Sequence, residues 1–183
     1  MTELALLARE LGVHERTLRR AVNQGGLRAR WRGPRTLDIP LSERQYVRRA
    51  WPLMASLRSA LRTEPNVRFA LLFGSAASGT DTPTSDVDLL VELREPGLDQ
   101  VVDLGQRLTA ASGRRVEVVR LGDAERDPLF LADVFRDGRV LVDREGVWPR
   151  LRSRERAVCG RVRHNEARRT EAALAGIDRL LAS

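Results

Sequence analysis

No lysine occurs in this chain: all 32 basic side chains among its 183 residues are arginine. That removes lysine nucleophiles and Schiff-base chemistry from consideration. A single cysteine, Cys159, excludes an intrachain disulfide, and with only His14 and His164 beside it there are too few ligands for a Cys/His zinc site. No apolar run approaches the roughly 18 residues of a membrane span. Glu3, Arg9 and Glu10 interrupt the segment where a secretory signal would be apolar, so a cytoplasmic location and no membrane partner are expected. Internal repeats and low-complexity tracts are also lacking.

What is present is an apolar content of 42%, enough for a real core, in a chain long enough for one ordinary domain and a small attachment. The formal net charge is +7 and is carried entirely by guanidinium groups. Arginine binds phosphate through a forked pair of donors and stays charged, so the surface suits polyanions.

The stretch Leu71 to Leu93, LLFGSAASGTDTPTSDVDLLVEL, organises the rest. An apolar run from Val67 to Phe73 ends at Gly74 and Ser75, and a second run, Val87 to Leu93, opens with Asp86 and carries Asp88. Strand side chains alternate faces, which puts Asp86 and Asp88 on one side. Two carboxylates that close repel unless a cation lies between them, and hard oxygen ligands of this kind suit Mg2+ together with substrate phosphates. Gly74 lets the backbone approach a ligand, and Ser75 in the first turn of a following helix offers a free hydroxyl and amide that favour phosphate.

These residues, GS, then Gly79, then SDVD followed by LLV, resemble the signature of the DNA polymerase β-type nucleotidyltransferases, in particular their minimal branch. The resemblance implies transfer of a nucleoside monophosphate from an NTP with release of pyrophosphate and two Mg2+ ions, with Mn2+ as a substitute. It assigns Asp86 and Asp88 to metal and catalysis, and Gly74, Ser75 and Ser85 to the nucleotide. One departure stands out. Many relatives carry arginines between GS and Gly79, where this chain has Ala76 and Ser78, so either the triphosphate is gripped by arginines from elsewhere or this site is weak.

Residues 3–11 and 14–24 read as two short helices joined by Gly12 and Val13, with Leu4, Leu7, Ala8, Leu18, Ala21 and Val22 inward. This resembles a helix-turn-helix, whose second helix would offer Arg16, Thr17, Arg19, Arg20, Asn23 and Gln24 to duplex DNA. Residues 27–40 follow as a hairpin around Gly33 and Pro34, with Leu27, Ala29 and Trp31 alternating. As a wing it would place Arg28, Arg30, Arg32 and Arg35 on phosphates. The other reading is a small helical subdomain that packs on the catalytic part with solvated arginines.

Ser42 is expected to cap a helix over 43–62 that Pro52 kinks or divides. Beyond the motif, 98–111 reads as a helix, 114–121 as a short strand, 127–136 as a helix, 140–142 as a last strand, and 148–181 mostly as one long helix. Glu117 in the strand is either an edge residue facing water or a third carboxylate beside the aspartates. The resemblance favours the latter, with a role in metal binding and catalysis. The arginines of the last helix are either solvated or a docking surface for RNA or a partner.

The expected architecture is an α/β fold of the α+β kind: a small mixed sheet with flanking helices, preceded by a small winged helix-turn-helix. The expected divisions are 1–40 for the winged module, 41–65 for a connecting helix and loop, 66–145 for the nucleotidyltransferase core and 146–183 for a helical segment. Members of the resembled branch act in bacterial toxin–antitoxin pairs, which implies tRNA or a cognate toxin or antitoxin protein as acceptor. The alternative is a DNA-binding transcription regulator whose transferase fold binds nucleotide as an effector.

Overall fold

The computed structural model describes residues 2–33, 36–95 and 97–181 and, of the side chains beyond residue 168, only that of Thr170. The expectations for Pro34, Arg35 and Pro96, and for the side chains of Arg169, Ala173, Ile177, Arg179, Leu180 and Leu181, lie outside the described residues.

Helix α1 (Glu3–Glu10) begins where the Thr2 hydroxyl accepts the Ala5 N–H, and α2 (Glu15–Asn23) where His14 Nδ1 accepts the Arg16 N–H. Each cap satisfies a donor that the first turn leaves unpaired. Leu4, Leu7, Ala8, Leu18 and Ala21 are buried. Strands β1 (Arg30–Trp31) and β2 (Leu37–Asp38) then pair antiparallel. Leu27, Leu37 and Ile39 turn inward, but Trp31 does not join them: both residues of β1 are exposed, with no covering layer among the described residues.

Helix α3 (Leu41–Arg62) starts one residue before Ser42, with Pro40 in the cap position and no side-chain cap. The helix runs through Pro52 without a break in its assignment. Pro52 lies on the exposed side, where water can replace the hydrogen bond that proline cannot donate.

The sheet forms from β3 (Val67–Phe73), followed by α4 (Gly74–Ser78), then β4 (Val87–Leu93), α5 (Leu98–Ser112), β5 (Val116–Arg120), α6 (Leu121–Ala124), α7 (Pro128–Asp137) and β6 (Arg139–Asp143). Its order is β5-β4-β3-β6, with β3 antiparallel to both neighbours and β4 parallel to β5. A parallel pair needs a crossover, which α5 supplies. The short α6 departs from the expected strand over 114–121, since the chain leaves the sheet at Arg120 and buries Leu121 and Ala124 in a single turn. The last helical stretch is two helices, α8 (Val147–Ser153) and α9 (Glu155–Leu181), divided at Arg154. The division lets Val147, Trp148 and Leu151 pack under the sheet while α9 packs on α7. No helix among the described residues is long and apolar enough to cross a membrane.

Strand alternation gives the sheet two apolar faces. Ala70, Leu72, Leu89, Val91 and Val116 face α3 and α5, and this cluster continues into α1, α2 and the hairpin through Leu4, Leu18 and Ile39. Phe69, Leu71, Leu90 and Val140 face α6, α7, α8 and the start of α9.

Among the described residues one ion pair lies fully inside. Arg139, 3% exposed, opens β6 and meets Glu43, 4% exposed, from the first turn of α3. Its two Nη atoms reach the two carboxylate oxygens at 2.5 and 3.0 Å, and Nε donates to the Ala77 carbonyl at 2.8 Å. The guanidinium also stacks 3.5 Å from the centroid of Tyr46. Glu43 accepts the Arg28 N–H at 3.0 Å, which fastens the hairpin to the same point. Removing one partner would strand a buried charge. Glu43→Ala is therefore expected to lower stability by about 3–5 kcal/mol in urea denaturation. Glu43→Leu combined with Arg139→Met is expected to recover much of that loss.

Candidate active site

The site grows from the turn after β3. Gly74 adopts φ +68°, a region that disfavours L side chains, and a Cβ built there would collide with the Asp88 carboxylate. Glycine is needed twice over, for the turn and for the close approach. Helix α4 ends at Gly79, φ +85°, where a Cβ would press on the Tyr46 ring at 3.0 Å. Three carbonyls at this end are taken by side chains from outside: Ala76 by the Tyr46 hydroxyl at 3.0 Å, Ala77 by Arg139, and Gly79 by Arg49. Burial pushes the Tyr46 hydroxyl up to about 12, which keeps it a donor. The turn is thus pinned from behind while Gly74 remains exposed and Ser75 half-buried. Among the described residues nothing hydrogen-bonds the Ser75 hydroxyl.

The loop from Thr80 to Ser85 is held by Arg114, whose Nη1 reaches Asp81 at 2.7 Å while Nε and Nη2 donate to the Ser85 carbonyl at 3.1 and 2.7 Å. Ser85, read as a nucleotide ligand, has its hydroxyl engaged inside this loop with the Thr82 N–H and hydroxyl, each at 3.0 Å.

Beyond the loop the β4–β5 register sets Asp88 beside Glu117 and Val87 beside Val116, and the Val87 N–H donates to the Arg115 carbonyl at 2.8 Å. Asp86 and Arg115 each lie one residue before these paired strands, outside them. Asp88 and Glu117 share the face of Leu90 and Val119, at the end of the sheet nearest Gly74. Asp88 is held above the ordinary carboxylate range, first by burial and then by the charges of Glu117 and Asp86. Glu117 is exposed and pairs with Arg115 Nη2 at 3.0 Å. In this arrangement no three His, Cys, Asp or Glu side chains among the described residues converge on one point. The donor chemistry nonetheless fits a hard divalent cation, because crowded like charges beside a half-buried carboxylate are what such an ion relieves. Several of these contributors have little local signal in the sequence: Tyr46, Arg49, Asp81, Arg114 and Arg139 act through partners about 30 or more positions away. Arg115 is different, since its spacing of two from Glu117 on a strand already puts the pair on one side.

On the N-terminal side, Arg16, Thr17, Arg20 and Asn23 are exposed on α2, while Arg19 is tied to Glu15 at 2.7 Å. Arg32 pairs with Asp38 at 2.8 Å. Arg28, expected to reach phosphates from the wing, instead donates to the Arg136 carbonyl near the end of α7 at 2.8 Å, because that end leaves carbonyls unpaired.

A small mixed sheet whose acid-bearing strand abuts a pinned glycine turn defines a nucleotidyltransferase. The sequence profile of the family described as polymerase beta, nucleotidyltransferase matches residues 55–146, half of the chain, and the chain belongs to that family. Solved structures share the fold. A toxin–antitoxin crystal structure with AMP-PNP is 22% identical, covers 68% of this chain and 97% of its own, and has a TM-score of 0.50. A mutant of the toxin–antitoxin MntA–HpeT, with two aspartates two positions apart changed to glutamate, is 21% identical over 68% of this chain and 97% of its own at TM-score 0.51. A complex of tri-AMPylated Shewanella oneidensis HEPN toxin with MNT antitoxin gives 19% identity, 70% and 98% coverage and a TM-score of 0.48. No curated protein matches the chain in sequence.

The raised Asp88 makes a stability prediction. The folded state holds this proton more tightly than the unfolded chain, whose carboxyl titrates near 3.8, so stability falls as pH rises between the unfolded and folded values. Asp88→Asn is therefore expected to raise the melting temperature of the metal-free protein at neutral pH. The gain should shrink once the pH drops below the ordinary carboxylate range, as followed by thermal denaturation across a pH series.

Proposed function

We propose that this nucleotidyltransferase moves an NMP group from an NTP onto a protein or tRNA acceptor, as a component of a bacterial toxin–antitoxin pair. The observation that carries the reading is the β4–β5 register, with Asp88 beside Glu117 and Asp86 adjoining, at the sheet end next to Gly74 and Ser75. Asp86, Asp88 and Glu117 would hold two Mg2+ ions, or Mn2+ in their place; such ions, when bound, neutralise phosphate charge and lower the pKa of an attacking hydroxyl. Gly74 and Ser75 receive the phosphates, and Ser85 supports them by shaping the loop that delivers Asp86. The alternative role for Glu117, supported by its being the most exposed of the three acids, is to take the proton of the acceptor hydroxyl instead of holding an ion. ATP as donor and a protein partner as acceptor draw support from the toxin–antitoxin structure with AMP-PNP, whose chain is covered almost completely. The arginine-only surface supports tRNA as the other acceptor.

Residues 1–40 are proposed as a winged helix-turn-helix that binds the protein's own upstream DNA, followed by a connecting helix and loop to residue 65, the transferase core over 66–145 and a helical segment over 146–183. Exposure of Arg16, Thr17, Arg20 and Asn23 on one helix supports this, with Arg19 and Arg32 beside them. The same apolar cluster joins these helices to the sheet, so the module acts from a fixed position.

Incubation with each radiolabelled NTP plus tRNA, total protein and the neighbouring gene product should label one of these acceptors. Asp86→Ala and Asp88→Ala should each abolish labelling while the circular dichroism spectrum is retained; full transfer by Asp88→Ala in EDTA would refute the metal-dependent site. Arg16→Glu with Arg20→Glu should remove salt-dependent binding to the upstream duplex and leave transfer to a protein acceptor unchanged. Equal affinity of the wild type for upstream and random duplex would end the regulatory part of the reading.

A further inference from the structure

We infer that Arg115 is the guanidinium that grips the triphosphate in this site, held on Glu117 until a divalent cation claims that carboxylate. The inference rests on the nucleotidyltransferase site proposed above. It answers a shortage in the turn itself, where Ala76, Ala77 and Ser78 offer no cation to a highly charged substrate.

The arginines around the site differ in what they have left to give. Arg114 is saturated by Asp81 and the Ser85 carbonyl, and its side chain is 18% exposed. Arg49 is divided between the Gly79 carbonyl and Asp81. Arg139 is buried against Glu43 and Ala77. Arg115 stands apart: its side chain is 73% exposed, and among the described residues its recorded partner is Glu117, at 3.0 Å. Its backbone is not free to wander, because its carbonyl accepts the Val87 N–H at 2.8 Å, between Asp86 and Asp88 in sequence. A fixed Cα beside the acids and a solvent-reaching fork are what a phosphate clamp requires.

The pairing also explains how an arginine can sit beside metal ligands without blocking them. A divalent cation on Glu117 would compete with Arg115 for that carboxylate, and the fork so released would be free to make a bidentate phosphate contact in its place. Adjacent residues leading into β5 thereby divide the labour. Arg114 points to the loop and holds it, whereas Arg115 points to the acid face and meets the substrate.

The test is equilibrium binding of α,β-methylene ATP, which cannot be cleaved at the reacting bridge, to full-length wild type, Arg115→Ala and Arg115→Lys in the presence of Mg2+. Mn2+ alone, read by its paramagnetic resonance signal, and AMP, which lacks the β- and γ-phosphates, are measured alongside. The expected result is a tenfold or greater weakening for α,β-methylene ATP in Arg115→Ala, partial recovery in Arg115→Lys, little change for AMP, and Mn2+ binding that is equal or tighter. Unchanged or tighter α,β-methylene ATP binding by Arg115→Ala would overturn the proposal and reduce Arg115 to a counter-charge for Glu117. Absence of metal-dependent nucleotide binding by the wild type itself would overturn the underlying site reading instead.

Discussion

A guanidinium in a protein interior is costly unless its nitrogens find acceptors, and each nitrogen of Arg139 does so, on Glu43 and the Ala77 carbonyl, while its plane lies over Tyr46. The consequence reaches well beyond the pair. Glu43 opens α3, Arg139 opens β6, and Ala77 lies in the short helix behind the glycine turn, so one buried contact sets three elements against each other. The hairpin is drawn in as well, through the Arg28 N–H on the same carboxylate.

This anchoring suits what the front of α4 must do. Gly74 approaches the Asp88 carboxylate so closely that no side chain fits between them, and such an approach is useful only if the turn cannot drift. The carbonyls of Ala76, Ala77 and Gly79 are each held by a side chain from α3 or β6, which leaves the opposite end of the turn open. Across from it, the sheet register forces Asp88 and Glu117 together against their mutual repulsion. Rigidity behind and crowded carboxylates in front are what the fold brings together at this end of the sheet.

Much of this was legible in the chain. The apolar runs Val67 to Phe73 and Val87 to Leu93 are met by β3 and β4 at those bounds, and the helices expected over 98–111 and 127–136 appear as α5 and α7 within one residue at each end. Other features were not. The four-residue α6 is too short to show periodicity, and the break at Arg154 interrupts a pattern that stays helical on both sides. Pro52 reads as a breaker, yet burial of Ala50, Trp51, Met54 and Leu57 along one face outweighs the missing hydrogen bond. Trp31 reads as core by alternation, and its exposure depends on the lack of a covering layer among the described residues, which alternation does not report.

The sequence by itself carried a legible signature: two carboxylates two positions apart where a strand begins, a glycine where the backbone must take positive φ, and a cation inventory made wholly of arginine. Those follow from local geometry, since the period of a strand and the steric demands of a turn act within a few residues. Only the tertiary structure decided which arginines are engaged and which are available. Arg114 and Arg115 are adjacent and alike in sequence, but one is bound by Asp81, 33 positions away, and the other faces Glu117 in the open. Likewise Glu43 and Arg139 stand 96 positions apart, and nothing local distinguishes them from the solvated charges around them. Ion-pair partners are chosen by proximity and burial in the folded chain, and those exist only once the sheet and its covering helices have met.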